Sequence, residues 1–525
     1  MKPLDWSQPY PSRRSPVLAR NIVATSQPLA AQAGLRMLLA GGNAVDAAVA
    51  TAIALTVVEP TSNGIGSDAF AIVFDGTKLH GLNASGRSPA AWTWGHFANA
   101  SAMPERGWDT VTVPGAVSAW VALSESFGAL PFPKLFEPAI AYAREGFPVS
   151  PVIARAWAGA VKTLADFPDF ERDFTIDGRA PKPGERWRFE DQARTLECIA
   201  ETKGEAFYRG DLAEKIAAHA KVTGGLMTAD DLAEHNADTV ETICVNYRGL
   251  TVHEIPPNGQ GLAALIALGT LERFDLAGMK IDSADFFHVQ IEAMKLAFAD
   301  AHRYISDIDA MEFAPTELLR DDYLDARAKL IDMKRAGEPT FGVPTEGGTV
   351  YLTAADASGM MVSTIQSNYG GFGSGIVVPG TGISLQNRGK GFTLEAGHPN
   401  EVGPRKRPYH TIIPAFVTRD GQPVMSFGVM GGPMQPQGHV QMMVRIADFA
   451  QNPPAAADAP RWQVHDGRDV TLEPGVPDDV AGELARRGHN ISRAVNGGGA
   501  QIIYKRDDGY VAASEPRKDG HAVGF

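Results

Sequence analysis

A glycine followed by a threonine, Gly348-Thr349, offers the most specific chemistry in this sequence. Because glycine has no side chain, the Thr349 hydroxyl can reach the Gly348 carbonyl in an N→O acyl shift, which breaks the peptide C–N bond and frees the threonine amine. Hydrolysis of the resulting ester then separates the two chains and restores the hydroxyl. An α-amine has a pKa of about 7.7–8.0, so it serves as general base for its own hydroxyl near neutral pH. The pair predicts self-cleavage and then nucleophilic catalysis by Thr349, although Gly-Thr also begins many ordinary strands.

A second candidate is the pair Gly431-Gly432, which stands between a predicted strand and a predicted helix. Two successive glycines can turn their backbone N–H groups toward one point, and such a point stabilises the oxyanion of an acyl-transfer intermediate. A simple strand–helix turn is the alternative interpretation.

Other catalytic signatures are absent from the sequence. It contains no H-E-x-x-H helix and no C-x-x-C pair, so it predicts no metal site. Gly389-Lys390 lacks the Ser or Thr of a phosphate-binding loop, and Ser374 lacks the glycine two residues earlier that a nucleophile elbow requires. The segment 64–69 resembles a dinucleotide fingerprint loosely, but it follows a helix and is interpreted as a turn. No cofactor is predicted.

Composition narrows the class of protein. The 525 residues are 44% hydrophobic and 21% charged, and 48 basic against 61 acidic side chains give a net charge of −13. This balance is typical of a globular protein and argues against nucleic-acid or anionic-membrane partners, which need a basic surface. Two cysteines, Cys198 and Cys244, are expected to be buried free thiols, with a lone disulfide as the alternative. The first residues lack a basic, then apolar, signal segment, and 47–58 is too short to span a bilayer, so a cytoplasmic location is expected.

Hydrophobic periodicity predicts the elements that position these residues. Two helices separated by Gly41-Gly42-Asn43 are expected between 27 and 58, followed by a strand at 69–74. Further helices are predicted at 117–126, 135–145, 211–220, 282–305, 319–334 and 437–449. Further strands are predicted at 349–355, 360–366, 412–418, 423–427 and 500–504, with a hairpin turn at 356–359.

A break in composition divides the chain. Residues 336–348 contain two prolines and four glycines without periodicity, which indicates an exposed, flexible linker of the kind that is cut. The division is therefore into a helix-rich segment, 1–348, and a strand-rich segment, 349–525, whose strands must pair across the cut.

The sequence resembles the gamma-glutamyltranspeptidase family over nearly its whole length. The motifs that carry the resemblance occur in the family's order: Val23-Ala24-Thr25-Ser26, 41–50, Val113-Pro114-Gly115-Ala116-Val117, 256–261, Thr349, Gly373-Ser374-Gly375-Ile376, Lys406-Arg407-Pro408, Gly431-Gly432 and Ala513-Ser514-Glu515-Pro516-Arg517. Any one of them is weak evidence, whereas the ordered set is specific.

The resemblance implies an α/β (α+β) fold, a four-layer αββα sandwich of the N-terminal-nucleophile hydrolase type built from both processed segments. It implies cleavage between Gly348 and Thr349, attack by Thr349 on an amide, and an oxyanion hole at Gly431 and Gly432. The stretch 366–368 is expected beside the threonine amine, with Asn368 in a catalytic role. The two processed chains are expected to form a heterodimer; its further dimerisation is left open.

The departures from the family bear on the substrate. Classical members bind the glutamyl carboxylate with an arginine where this sequence has Trp94, and Arg87 is the nearby substitute. They bind the α-amine with an acidic residue in the segment matching 385–392, which here is acid-free and carries Arg388 and Lys390. A pocket with cations in place of that carboxylate should prefer an anionic group without an amine.

These comparisons give one leading hypothesis and two alternatives. The leading one is hydrolysis of a small, carboxylate-bearing amide, as in the oxamate amidohydrolase branch that His410-Thr411 also resembles. The alternatives are a gamma-glutamyl hydrolase or transferase acting on glutathione, and an unprocessed binding protein. Arg388 could also form a surface salt bridge, and His410 could be a satisfied interior histidine. The predicted catalytic residues are Thr349, Gly431, Gly432 and Asn368, and the predicted substrate-binding residues are Arg388, Asn387, Tyr369, Ser367, His410, Thr411 and Arg87.

Overall fold

The computed structural model describes residues 14–339, 348–495 and 498–525. Within these residues no helix is both long and apolar enough to cross a membrane. The α-helices are α1 Pro28–Leu39, α2 Ala44–Val58, α3 Trp94–Phe97, α4 Ala116–Phe127, α5 Glu137–Glu145, α6 Pro151–Thr163, α7 Pro168–Phe174, α8 Glu190–Thr202, α9 Glu205–Arg209, α10 Asp211–Thr223, α11 Ala229–Ala233, α12 Gly261–Leu271, α13 Ala284–Tyr304, α14 Asp321–Ala328, α15 Met434–Ala447, α16 Pro453–Asp458 and α17 Asp478–Arg486.

Most strands are short and flanked by turns. They are β1 Val17–Ala19, β2 Ile22–Thr25, β3 Asp68–Phe74, β4 Leu79–Asn83, β5 Phe147–Pro148, β6 Arg186–Trp187, β7 Asp238–Val240, β8 Ile243–Tyr247, β9 Leu250–Glu254, β10 Gly348–Ala355, β11 Met361–Tyr369, β12 Val377–Val378, β13 Ile383–Ser384, β14 Ala415–Arg419, β15 Gln422–Met430, β16 Trp462–Val464, β17 Asp469–Leu472, β18 Asn490–Arg493, β19 Gly499–Arg506, β20 Gly509–Ser514 and β21 His521–Gly524.

Two seven-stranded antiparallel sheets form the centre of the described structure. Sheet I has the order β1-β20-β19-β15-β14-β9-β8, and sheet II has the order β21-β2-β10-β11-β3-β4-β7. Each sheet takes strands from both sides of the Gly348–Thr349 bond. The expectation that both segments supply paired strands is therefore confirmed.

The apolar side chains pack in three layers between four layers of backbone. One cluster lies between the sheets and includes Phe70 and Ile365 from sheet II and Phe416 and Ile503 from sheet I. A second joins sheet II to α1, α2, α4, α5 and α8, and a third joins sheet I to α12, α13 and α15. The predicted αββα sandwich is confirmed.

Helix α2 shows why the sequence builds this layer. Asn43 caps it with hydrogen bonds to the amides of Val45 and Asp46, and Asp46 completes a capping box. All of its side chains are buried, as expected for an Ala-rich helix that lies between a sheet and an outer helical layer. The predicted interruption at 41–43 is confirmed.

One predicted helix is shorter than expected. The pattern at 319–334 predicts a continuous helix, whereas α14 covers Asp321–Ala328 and a turn follows. Tertiary contacts outweigh local propensity here, because the backbone carbonyls of Asp332 and Met333 are bound by His288 and Arg487. Residues 340–347 of the predicted linker lie outside the described residues.

A bulge in the hairpin of β10 and β11 determines the position of Thr349. Gly348 pairs with Tyr369 and Val350 pairs with Gln366, so Thr349 alone faces two residues of β11. Those two residues, 367 and 368, project to opposite faces of sheet II, as consecutive strand residues do. The hairpin turn at 356–359 is confirmed by the bond from the Gly359 amide to the Asp356 carbonyl.

The contact between the sheets beside this strand is testable at Gly428. A Cβ added there would lie 2.5 Å from the Tyr351 ring, so Gly428→Ala should destabilise the protein by about 1–3 kcal/mol through overpacking. Thermal unfolding would measure the change. Gly482→Ala on exposed α17, where an added Cβ has no neighbour within 4 Å, is the control and should be neutral or stabilising. Equal stability of Gly428→Ala and wild type would contradict the packing.

Candidate active site

The hydroxyl of Thr349 is buried and is contacted by side chains from both halves of the sandwich. The residue is 2% exposed. Its Oγ1 lies 3.2 Å from Ser367 Oγ on β11 and accepts a 3.4 Å hydrogen bond from Gln435 Nε2. Because Gln435 is in the first turn of α15, which packs on sheet I, the hydroxyl is oriented by groups from both halves of the sandwich. Such restriction is what a nucleophile requires.

Arg388 extends this chain of polar contacts. Its Nη2 donates to Ser367 Oγ at 3.3 Å and its Nη1 donates to Thr411 Oγ1 at 2.8 Å. The guanidinium carbon lies 4.4 Å from the centre of the Tyr369 ring, which is a favourable cation–π distance. Arg388 is fully buried, so the interpretation of a surface salt bridge is wrong.

Two buried donors in this group have no hydrogen-bond partner among the described residues. They are Nε of Arg388 and the hydroxyl of Tyr369, and Tyr369 is only 2% exposed. A buried polar atom without a partner costs free energy, so its presence in a native site points to a ligand or a water. Two N–H or O–H donors beside a cation suit an anionic acceptor such as a carboxylate.

Asp68 is the buried negative charge that faces Arg388. It is the direct cross-strand neighbour of Ser367, and its Oδ1 accepts hydrogen bonds from the amides of Gly86 and Gly115. Burial raises the pKa of Asp68 to about 7, and the positive charge of Arg388 opposes this rise. Burial also lowers the pKa of Arg388 to about 10, against the effect of Asp68.

His410 is a satisfied interior histidine in this structure. Its Nδ1 accepts from the Ile412 amide, so its Nε2–H donates to Asp68 Oδ2 at 3.1 Å. Burial, together with the charges of Arg388 and Arg407, holds its pKa well below the usual range, so the ring is neutral. It orients Asp68 and lies behind Arg388, and its neighbour Thr411 makes the direct contact with the guanidinium.

Gly431 and Gly432 form the turn between β15 and α15. Their φ values of +115° and +58° lie in the region that favours glycine, and a Cβ on Gly431 would lie 3.1 Å from Gly498 Cα. The structure records no acceptor among the described residues for either amide N–H. Gln260 Nε2 holds the turn by donating to the Gly432 carbonyl at 2.9 Å. These two amides, three and four residues before Gln435, fit an oxyanion site.

Asn368 and Asn387 support the site at a distance from the Thr349 hydroxyl. Asn368 projects to the helical face of sheet II, where it accepts from Ser67 Oγ and donates to Ser384 Oγ. Asn387 accepts from the Gly370 amide at 2.8 Å and so fixes the loop after β11. Ser367, on the opposite face of the bulge from Asn368, is the β11 side chain that meets Thr349.

Arg87 belongs to a different cluster. Its Nη1 donates to Asp307 Oδ2 at 2.6 Å and to the Arg405 carbonyl, and its side chain is 39% exposed. Trp94 begins the short helix α3 and is 45% exposed. The structure thus brings together Thr349, Ser367, Tyr369, Arg388, Thr411 and His410 from the predicted set, and places Arg87 on another group of charges.

The sequence alone does not single out Gln435 and Asp68 as residues of the site. Gln435 lies three residues after Gly432, so its place in the turn was a usable signal, but glutamine carries no catalytic signature of its own. Asp68 lies in the segment 64–69, which was interpreted as a turn only. A charged residue at the start of a fully buried strand is rare and was the signal that could have found it.

The four layers define the N-terminal-nucleophile hydrolase fold, and the family follows from comparison with known proteins. The profile of the family described as Gamma-glutamyltranspeptidase matches residues 30–525. The chain belongs to this family and is an amidohydrolase or acylase within it.

Similar proteins carry different activities in their names. The chain is 36% identical to the "Glutathione hydrolase-like YwrD proenzyme" of Bacillus subtilis (strain 168), over 98% of this chain and 100% of that protein. It is 34% identical to the "Oxamate amidohydrolase proenzyme" of Klebsiella pneumoniae subsp. pneumoniae, over 95% and 97%. A solved structure of cephalosporin acylase from Bacillus halodurans matches with a TM-score of 0.95 and 50% identity, over 99% of both chains.

The Asp68–Arg388 pair predicts a pH dependence of anion binding. Asp68 is neutral below its pKa of about 7 and charged above it, so the net charge beside Ser367 falls as the pH rises. Carboxylate affinity should therefore weaken by about tenfold between pH 6 and pH 8. Calorimetric titration of oxamate into the Thr349→Ala protein at several pH values would measure it.

Asp68→Asn should remove this dependence, and exposed Asp508→Asn is the control that should retain it. Two results would contradict the assignment of the pH dependence to Asp68. One is an oxamate affinity that does not change with pH in Thr349→Ala, with or without Asp508→Asn. The other is a pH dependence that remains after Asp68→Asn.

Proposed function

We propose that this protein is a self-processing amidohydrolase that cleaves its own Gly348–Thr349 bond and then hydrolyses small carboxylate-bearing amides through an acyl ester on Thr349. The observation that carries the proposal is the buried chain from Thr349 through Ser367 to Arg388, with two unpartnered donors beside it. The Thr349 hydroxyl and the Arg388 guanidinium are thereby connected by two successive contacts, through the Ser367 hydroxyl. The printed names of both curated relatives call them proenzymes, which supports processing.

The chemistry needs few groups. In processing, Thr349 Oγ1 attacks the Gly348 carbonyl and the C–N bond breaks, which frees the Thr349 amine and leaves Gly348 as an ester on Oγ1. Water then hydrolyses this ester, which restores the hydroxyl and releases the Gly348 carboxylate. In turnover, that amine takes the Oγ1 proton as Oγ1 attacks the substrate amide. The amides of Gly431 and Gly432 stabilise the oxyanion. The leaving amine takes the proton, and water then hydrolyses the acyl ester.

The preferred substrate has a carboxylate close to its amide. The Nη2 atom of Arg388 and the hydroxyl of Thr349 are separated by one intervening hydroxyl, that of Ser367. In oxamate the carboxylate is bonded directly to the reacting carbon. Such a short acyl group can contact the Arg388 guanidinium while its reacting carbon lies beside the Thr349 hydroxyl. The name of the Klebsiella pneumoniae relative supports the same class.

Gamma-glutamyl peptides are the alternative substrates, because the name of the Bacillus subtilis relative refers to glutathione. Such a substrate brings an ammonium group that needs a carboxylate partner. Glu105 forms a salt bridge with Lys390, and Asp68 is enclosed by His410 and two amides. Neither is presented to an ammonium in this structure, which favours the amine-free substrate. An unprocessed binding protein is the third alternative, and it would show neither cleavage at Gly348–Thr349 nor turnover.

Replacement of the nucleophile should separate catalysis from binding. Thr349→Ala should lower kcat for oxamate hydrolysis by at least about 10³-fold, whereas Thr349→Ser should retain measurable turnover because it keeps an oxygen nucleophile. Ammonia release measures the rate. The control is Thr364→Ala, a buried threonine of β11, which should leave kcat unchanged. Full activity in Thr349→Ala would exclude Thr349 as nucleophile.

Arg388 should determine specificity for the carboxylate. Oxamate and oxamide differ only by a carboxylate and an amide, so Arg388→Met should lower kcat/KM about 100-fold for oxamate and far less for oxamide. Arg87→Met, which changes a cation outside the site, is the control.

A second pair of substrates, glutaramate and glutamine, differs by the α-amine. Faster hydrolysis of glutamine, or an Arg388→Met loss equal for oxamate and oxamide, would favour the gamma-glutamyl alternative.

A further inference from the structure

Gln260 is a buried side chain whose amide connects two parts of the site that are far apart in the sequence. It is the N-cap residue of α12 and is 0% exposed. Its Nε2 donates one hydrogen bond to the Gly432 carbonyl at 2.9 Å and another to the Thr411 carbonyl at 2.5 Å. Because a side-chain amide nitrogen has two hydrogens, both of its donors are used in these bonds.

The remaining contacts of Gln260 fix the orientation of this amide. The hydroxyl of Tyr409 donates to Gln260 Oε1 at 2.9 Å, so the oxygen and nitrogen of the amide cannot exchange places without losing hydrogen bonds. The Gln260 backbone amide also donates to the His410 carbonyl at 2.9 Å. Gln260 therefore binds three consecutive residues, 409–411, as well as the turn at Gly432. A buried polar network that is satisfied in this way is rigid.

The two carbonyls belong to the two groups that the substrate would contact. Gly432 supplies one of the amides of the proposed oxyanion site. Thr411 Oγ1 accepts from Arg388 Nη1 at 2.8 Å, and Arg388 is the proposed carboxylate-binding group. The hydrogen bonds of Gln260 to described residues go neither to Arg388 nor to the Thr349 hydroxyl, so Gln260 is a positioning residue.

The chain segment that Gln260 holds also reaches the nucleophile. The Ile413 amide donates to Gln435 Oε1 at 2.9 Å, and Gln435 Nε2 donates to Thr349 Oγ1 at 3.4 Å. A shift of residues 409–413 would therefore change the contacts of the hydroxyl together with those of the guanidinium. The position of this segment relative to the oxyanion turn is what the amide of Gln260 fixes.

We propose that Gln260 sets the distance between the oxyanion site and the carboxylate-binding group. It thereby makes the enzyme selective for amides whose carboxylate is bonded directly to the reacting carbon. This inference rests on the proposed function. Because both carbonyls are bound to one nitrogen atom, the two groups cannot move apart independently, and one length of acyl group fits both. A displacement of about 1 Å at a reacting centre can lower a rate about 10²-fold.

The test variant is Gln260→Met, which has a similar shape but removes both donors. The matched control is Gln441→Met. Gln441 is also buried, its Nε2 donates to the carbonyls of Gln437 and Trp462, and its Oε1 accepts from the Trp462 amide. Both variants lose the same number of side-chain hydrogen bonds, so their loss of stability should be similar. Thermal unfolding would measure that loss.

The readout is kcat/KM for oxamate, malonamate and succinamate, in which the carboxylate lies progressively further from the reacting carbon. Wild type and Gln441→Met should prefer oxamate by the same ratio. Gln260→Met should lose about 10- to 100-fold in kcat/KM for oxamate and far less for succinamate. Partial unfolding lowers all three rates by one factor, so the ratio separates positioning from stability. An unchanged ratio in Gln260→Met would overturn the inference.

Gln260→Glu serves if Gln260→Met does not fold. This variant keeps the shape of the side chain and an oxygen that Tyr409 can bind, but a neutral carboxyl group has only one O–H donor for the two carbonyls. Its preference for oxamate over succinamate should also fall, whereas Gln441→Glu should keep the wild-type preference. A wild-type preference in Gln260→Glu would overturn the inference.

Failure of the proposed function gives a different result. Wild type that hydrolyses succinamate faster than oxamate would overturn the selectivity, and wild type that hydrolyses none of the three amides would refute the proposed function. Crystal structures of wild type and Gln260→Met then test the positioning alone. The Gly432 amide should move relative to the Arg388 guanidinium by about 0.5 Å or more in the variant. Identical positions in the two structures would overturn the role of Gln260.

Discussion

The structure depends on one mismatch in strand pairing, where Thr349 alone faces Ser367 and Asn368. This bulge turns Ser367 toward the space between the sheets and Asn368 toward the helices. The Thr349 hydroxyl then meets Ser367 from its own sheet and Gln435 from the helix that covers the other sheet. Because β10 lies between strands of both segments, cutting the chain before Thr349 leaves the pairing of its strand intact.

The second constraint is the enclosed charge of Arg388. A lone guanidinium in a dry interior is costly, and the protein offsets that cost with Ser367, Thr411, the Tyr369 ring and the more distant Asp68. None of these satisfies the guanidinium fully, since Nε has no partner among the described residues. A carboxylate would complete the arrangement, so the electrostatics of the site and the proposed substrate preference have the same origin.

Much of the fold could be predicted, because long amphipathic or Ala-rich helices and alternating strands have strong local signals, as at α2, α13 and β10. The order of short motifs then indicated the family. Contacts between residues that are distant in the sequence were harder to predict. No local pattern distinguishes Ser367 from Asn368 at a bulge, or shows that Arg87 binds Asp307. Asp68 and Gln435 acquire their roles only when β3, β11 and α15 meet, which depends on tertiary packing and not on local propensity.

Intact mass spectrometry of acid-quenched protein is the most direct test of Thr349 as a self-generated nucleophile, because one spectrum reports both bond cleavage and acyl transfer. If Thr349 is the nucleophile, the spectrum should contain two chains that break between Gly348 and Thr349. During oxamate turnover, a fraction of the 349–525 chain should be heavier by one oxalyl group that maps to Thr349. A single uncut chain would contradict self-processing. Two chains with the acyl group on any other residue would contradict Thr349 as the nucleophile.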